Sequence, residues 1–247
     1  MALGHERSYQ ESCCYAGRVT VGVSVESERP LLHLAKFPPV LTYDYVEGLP
    51  NARASGMDIY FSADVETDGS IPGPFSILSF AMVYAGAFDG ETFYRPPTYS
   101  ERFYVELKPI SDAFEPAALR VNGLDRDALI REGNDPHDAM DKAAAWVRKV
   151  AGDGEPVFVA YPLSFDWSWL YWYFTRFCQS GSPFGYSRCF DVKTAMAVKL
   201  GRRIGDAGRQ RIPDELKPAS LHTHHALDDA IEQAEIFANL FSLGSNE

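Results

Sequence analysis

Residues 58 to 66, DIYFSADVE, alternate without a break: Ile59, Phe61, Ala63 and Val65 fall on one side, Tyr60, Ser62, Asp64 and Glu66 on the other. A period of two is the mark of a β-strand, whose successive side chains point to opposite faces. The pattern predicts a strand that buries its aliphatic face and presents two carboxylates on the other, about 7 Å apart along the chain direction. Like charges held this close repel one another unless a cation lies between them. Hard oxygen donors suit Mg²⁺ or Mn²⁺, whereas zinc usually recruits His or Cys as well.

Two later segments offer further carboxylates for the same divalent-metal site. Asp166 follows the strand-like run PVFVAY and opens the helical stretch DWSWLYWYFTRF. A residue at such a strand-to-helix junction faces the ends of neighbouring strands, and Asp there also suits a helix N-cap. The third segment, HTHHALDDA, leads into a helix whose apolar stripe reads Leu227, Ala230, Ile231, Ala234, Ala238 and Phe241. Asp228 and Asp229 flank that stripe on opposite sides about equally, so spacing leaves both open.

ADVETDG, then SFDW about a hundred residues on, then HHALDDA near the end form an ordered set. In this order and at these separations the chain resembles the DnaQ-like superfamily of 3'→5' exonucleases, in its DEDDh branch. The third motif of that branch is a histidine, four residues, then an aspartate, which implies His224 and Asp229; the tyrosine branch would need Tyr where this chain has His225. FYVELKPI, ALRVNGLDRDAL and CFDVKTAMAVKLG follow as the third strand, a helix-turn segment and the stretch between the second and third motifs. The likeness covers roughly residues 57 to 243. One departure is AYPLSFD, which lacks the Asn or His that the family often carries ahead of its second Phe-Asp.

The resemblance implies an α/β fold, an RNase H-like mixed β-sheet flanked by helices. It implies phosphodiester hydrolysis with two Mg²⁺ (or Mn²⁺) held by Asp64, Glu66, Asp166 and Asp229, with Asp64 bridging the pair and His224 as general base. An ordinary imidazole, titrating near 6.5, is neutral and basic at cellular pH. The substrate would be the 3' end of single-stranded DNA or RNA, with DNA slightly favoured. Oligoribonuclease-like trimming of short RNA is the alternative. A non-catalytic binding module of the same fold would normally lack one of the four acids, and a phosphoesterase of non-nucleic substrates could use the same set.

Other features read as structural. Trp169, Trp172 and Tyr173 lie at i, i+3 and i+4, which favours core packing over base stacking. His222 and His225 read as parts of a polar loop ahead of the last helix. Cys13, Cys14, Cys178 and Cys189 form no C-x-x-C pattern and suggest neither zinc nor a disulfide framework. No apolar run approaches membrane-spanning length, and the N-terminus lacks a leader pattern, which predicts a soluble, cytoplasmic protein with no membrane partner.

The net charge of −11 opposes generic binding of nucleic acid through a basic surface. Residues 1 to 56 hold five Arg/Lys against six Asp/Glu, a net of −1, so the remainder carries −10. Bound divalent ions would invert that charge locally. The locally basic stretch from Lys199 to Lys217 reads either as a solvated loop or as a phosphate clamp.

Residues 1 to 56 contain one alternating run, Val19 to Val25, between flanks rich in chain breakers. They read as an N-terminal extension ahead of an exonuclease domain at 57 to 247. A chain that starts at Met57 should therefore melt cooperatively and keep the exonuclease rate of the full chain. A molten truncation in thermal denaturation would show instead that the Val19 to Val25 segment covers a sheet edge.

Overall fold

The structure, a computed structural model, describes residues 56 to 243. The Val19 to Val25 run and Cys13 and Cys14 lie outside the described residues. The centre is a six-stranded mixed sheet: β1 (Asp58–Thr67), β2 (Ile77–Phe88), β3 (Phe93–Tyr94), β4 (Arg102–Glu106), β5 (Glu155–Ala160) and β6 (Cys189–Asp191). The order β3-β2-β1-β5-β6 places β1 in the middle, antiparallel to β2 and parallel to β5, while β4 pairs with β2 beside β3. A hairpin followed by β-α alternation gives this mixture of pairings, because parallel neighbours need a helical crossover.

Helices α3 (Pro136–Ala151) and α4 (Leu163–Phe177) cover one face of the sheet, meeting Ile59, Phe61, Ala63 and Val65. Helices α5 (Val192–Lys199) and α6 (Ala226–Ser242) cover the other, around Tyr60, Val157, Val159 and Phe237. Two short helices, α1 (Pro116–Asn122) and α2 (Arg126–Glu132), lie between β4 and α3. The expected alternation of β1 is present, yet the strand is buried on both faces. Ala226 and Ala230 of α6 pack on Ala81 and Val83 of β2, and their small side chains let the helix close over the polar face. The carboxylate end of β1, though buried, borders a cleft.

Several boundaries differ from the sequence expectation. Helix α4 begins at Leu163 with Pro162 as its N-cap, so Asp166 sits inside the first turn and does not cap it. The buried arc of α6 is wider than the expected stripe and includes Gln233, Ile236, Phe237 and Leu240. The reason is a second cover: Ala207 and Leu216, from single-turn 3₁₀ helices and their flanks in the 204 to 216 stretch, share a cluster with Ile236 and Phe237. Ala207, Leu216 and Arg209 thus anchor the basic stretch on α6, while Lys199, Arg202, Arg203, Arg211 and Lys217 stay exposed. Trp169 and Tyr173 are fully buried, and the Tyr173 hydroxyl accepts the Ile77 N–H at 2.8 Å. Cys178 and Cys189 are free thiols, and among the described residues no helix is long and apolar enough to cross a membrane.

One buried ion pair ties α2 to the end of β1. Asp68 Oδ2 accepts Arg126 Nε at 2.9 Å, and Asp68 Oδ1 accepts the Ser76 N–H at 2.5 Å. The Glu115 N–H donates to the Asp68 carbonyl, and the Asn122 amide donates to the Thr67 carbonyl, which hold α1 beside the strand end. Truncating Arg126 would leave a buried carboxylate without its cation. Arg126→Ala should lower the stability measured by urea unfolding by about 3 kcal/mol or more, whereas Arg203→Ala, at an exposed pair with Asp206, should change it by under about 1 kcal/mol.

Candidate active site

The open end of the sheet forms a cleft of about 440 Å³ lined by residues from all three sequence motifs, by α1 and by the 3₁₀ stretch. Asp64, Glu66, Asp166 and Asp229 are 8%, 9%, 4% and 1% exposed. Carboxylate oxygens of Asp64, Glu66 and Asp229 come within 4.8 Å of one another. Asp166 lines the same cleft, and its Oδ1 accepts the Val65 N–H at 3.2 Å. The β1-β5 ladder stops at Ser62 and Val159, so Val65 needs another acceptor and Asp166 supplies it.

Asp228 and Asp229, both left open by spacing, take different positions. Asp229 faces the cleft, while Asp228 is exposed and accepts the Thr223 hydroxyl at 3.0 Å. Both oxygens of Asp229 are engaged: Oδ1 by the Thr223 N–H at 2.8 Å, Oδ2 by the His224 N–H at 3.1 Å. His224 is exposed, lines the cleft and has φ +59°, the left-handed region that side-chain-bearing residues seldom adopt. His225 points elsewhere and stacks on Tyr104 with ring centroids 5.0 Å apart.

Four neighbours of the carboxylates were not singled out by the sequence reading. His222, expected in a polar loop, turns into the cleft, with Nδ1 2.9 Å from Asp229 Oδ2 and 3.3 Å from Glu232 Oε2. Gln233 is fully buried; its Nε2 donates to Asp64 Oδ1 at 2.7 Å and its Oε1 accepts the Tyr161 N–H at 2.7 Å. Glu232 is ion-paired with Arg209, whose Nη2 donates to the Tyr161 carbonyl at 3.0 Å. Glu232 and Gln233 stand three and four residues after Asp229, so a polar pair on the buried face of the helix was the available signal.

Burial, followed by the charges of Asp166, Glu66 and Asp229, raises the Asp64 carboxyl well above the usual carboxylate range. Burial, then Asp229 and Asp166, pushes Glu66 up to about 8. Burial lifts Asp166 to about 7, against the pull of the Val65 N–H. Hard oxygen donors that repel one another make a set that fits divalent ions such as Mg²⁺ or Mn²⁺. His222, His224 and Asp229 form a second group whose ligand atoms come within 4.8 Å of one another.

A mixed sheet with helices on both faces and acidic residues at its open end is an RNase H-like arrangement. The nuclease domain of 3'hExo, a DEDDh family member bound to rAMP, superposes with a TM-score of 0.56 over 78% of this chain and 94% of that one, at 11% identity. Cell-death related nuclease 4 superposes with a TM-score of 0.52 over 76% of this chain and 64% of that one, at 15% identity. The sequence profile of the 3'-5' exoribonuclease Rv2179c-like domain matches residues 60 to 241, and the chain belongs to this family of 3'→5' exonucleases. It is 36% identical to the 3'-5' DNA exonuclease Cap18 of Escherichia coli over 73% of this chain and 90% of that protein. It is 29% identical to Ribonuclease T of Hahella chejuensis over 72% of this chain and 80% of that protein.

Raised carboxyl pKa values have a definite consequence for stability. The folded site keeps protons that the unfolded chain has released, so the stabilisation is full below about pH 4 and is lost as pH rises through the folded values near 7 and 8. In EDTA, the melting temperature should fall between about pH 5.5 and 8.5. Saturating Mg²⁺ or Mn²⁺ should raise it more at the alkaline end. Asp64→Asn should melt above the wild type in EDTA at pH 8 and lose most of the metal-induced rise. A metal-free melting curve that climbs across this range would contradict the assignment.

Proposed function

We propose that this protein removes nucleotides one at a time from the 3' end of single-stranded nucleic acid, with DNA favoured over RNA, using two divalent ions held by Asp64, Glu66, Asp166 and Asp229. The observation that carries the reading is the meeting of the Asp64, Glu66 and Asp229 oxygens beside buried Asp166 and exposed His224 in one cleft. Bound there, the ions would supply Lewis acidity, making a water more acidic and stabilising charge on the attacking and leaving oxygens.

The remaining steps belong to the chain itself. His224 accepts the proton of the attacking water, whose oxygen bonds to phosphorus as the bond from phosphorus to the penultimate 3'-oxygen breaks. The leaving 3'-oxygen takes a proton from solvent, and a nucleoside 5'-monophosphate departs. Asp229 is fixed by the amides of Thr223 and His224, Asp64 by Gln233, and Asp166 by Val65, so these carboxylates need no rearrangement during reaction. Phe165 and Val121 line the same cleft and are exposed, which offers apolar surface to a terminal base.

The DNA preference is supported by the 36% identity to a protein named a DNA exonuclease. Oligoribonuclease-like trimming of RNA is the second reading, supported by the exoribonuclease name of the family and by the ribonucleases T among its relatives.

The test is digestion of 5'-labelled single-stranded DNA and RNA of several lengths. We expect a ladder shortened from the 3' end, abolished by EDTA and blocked by a 3'-phosphate. Cleavage of a circular single strand would overturn the exonuclease reading. Asp166→Asn should lose several orders of magnitude of turnover. His224→Ala should lose about 10²-fold or more, the usual contribution of a general base, while folded His225→Ala stays near the wild-type rate. If His225→Ala is the inactive variant, His224 is not the base.

A further inference from the structure

A chain of net charge −11 that grips a polyanion gains from a fixed cation beside its carboxylates, in addition to divalent ions bound there. Among the described residues that line the cleft, Arg209 is the only lysine or arginine. It comes from the single-turn 3₁₀ helix Arg209–Arg211, within the locally basic stretch. Two contacts immobilise it. One terminal nitrogen is paired with Glu232 Oε2, and the other donates to the Tyr161 carbonyl at 3.0 Å. The guanidinium carbon also lies 5.1 Å from the centroid of the Tyr161 ring.

These contacts use two of the five N–H donors of a guanidinium. The side chain is 25% exposed, on the wall of the cleft that also holds Asp64 and Asp166. The basic neighbours do not compete for this role. Arg203 and Arg211 both pair with Asp206 and are 89% and 60% exposed outside the cleft. Glu232 is buried and follows Asp229 by one helical turn, so the anchor of the arginine and the acid of the third motif are set by the same helix.

We propose that Arg209 forms a phosphate subsite: its free N–H donors hold a non-bridging oxygen of a phosphodiester at the 3' end of the substrate, and then the phosphate of the released nucleoside 5'-monophosphate. The proposal rests on the exonuclease reading above. Glu232 and the Tyr161 carbonyl hold the planar fork in place before the substrate arrives, so little side-chain freedom is lost on binding. A lysine would keep the charge and lose the fork.

The test uses the full chain with Mg²⁺ and 5'-labelled single-stranded DNA, and compares Arg209→Gln, Arg209→Lys and the surface control Arg203→Gln. Inhibition constants are measured for thymidine 5'-monophosphate and for thymidine, with melting temperatures in EDTA. Arg209→Gln should raise both KM and the inhibition constant of the monophosphate about tenfold or more, with thymidine unaffected. It should also shrink the slope of log KM against log salt by about one. Arg209→Lys should fall between this variant and the wild type, and Arg203→Gln should match the wild type.

Unchanged KM and monophosphate inhibition in Arg209→Gln, with a lowered melting temperature, would overturn the subsite and leave Arg209 as a counter-ion of the carboxylates. An equal rise of KM in Arg203→Gln would overturn it in favour of general surface charge. A wild-type chain that shortens neither DNA nor RNA would remove the exonuclease reading itself, an outcome distinct from either.

Discussion

Four carboxylates share the open end of one sheet, in a place where water screens them poorly. Two unit charges 4 Å apart in a medium of effective dielectric 20 interact by about 4 kcal/mol, so this arrangement opposes folding unless each group is held and compensated. Donors are supplied from the backbone wherever a ladder ends. The Val65 N–H, beyond the last β1-β5 pair, goes to Asp166, and the Tyr161 N–H, just past β5, goes to Gln233, which in turn holds Asp64. The ends of the two parallel strands are thereby tied to the acids of different motifs.

Helix α6 does most of the arranging. Its small residues, Ala226 and Ala230, let it approach β2 closely, and the same buried face then carries Asp229, Glu232 and Gln233. A larger residue at 230 would lift the helix and draw three polar groups away from the strand end together. Beside the same strand end, Asp68 holds α2 through Arg126 and α1 through the Glu115 N–H, and Asn122 of α1 donates to the Thr67 carbonyl.

The central strand, the order of elements and the resemblance to a DEDDh nuclease were legible because they rest on local signals: the period of two in DIYFSADVE and the three ordered acidic motifs. Helix α6 was legible in extent but not in orientation. The expected stripe through Leu227 and Ile231 treats the helix as covered on one side, and the turns between 204 and 216 bury a second side that no periodicity in their own sequence announces. Arg209 was readable only as one of several basic residues, since its place follows from tertiary contacts with Glu232 and Tyr161. The direction of His222 within its polar loop was not readable for the same reason: a loop side chain is oriented by the partners it meets, here Asp229 and Glu232.

The left-handed backbone at His224 bends the chain, and the adjacent histidines serve different surfaces, one facing the cleft and the next stacked on Tyr104 of β4. Asp229 meanwhile receives main-chain amides from residues 223 and 224. Main-chain donors are indifferent to side-chain identity. The main-chain part of the grip on this acid is therefore written in backbone conformation, while the Thr223 hydroxyl on Asp228 and the His222 ring beside Asp229 add contacts that depend on residue type. Gln233, whose side-chain amide spans Asp64 and Tyr161, depends on residue type as well.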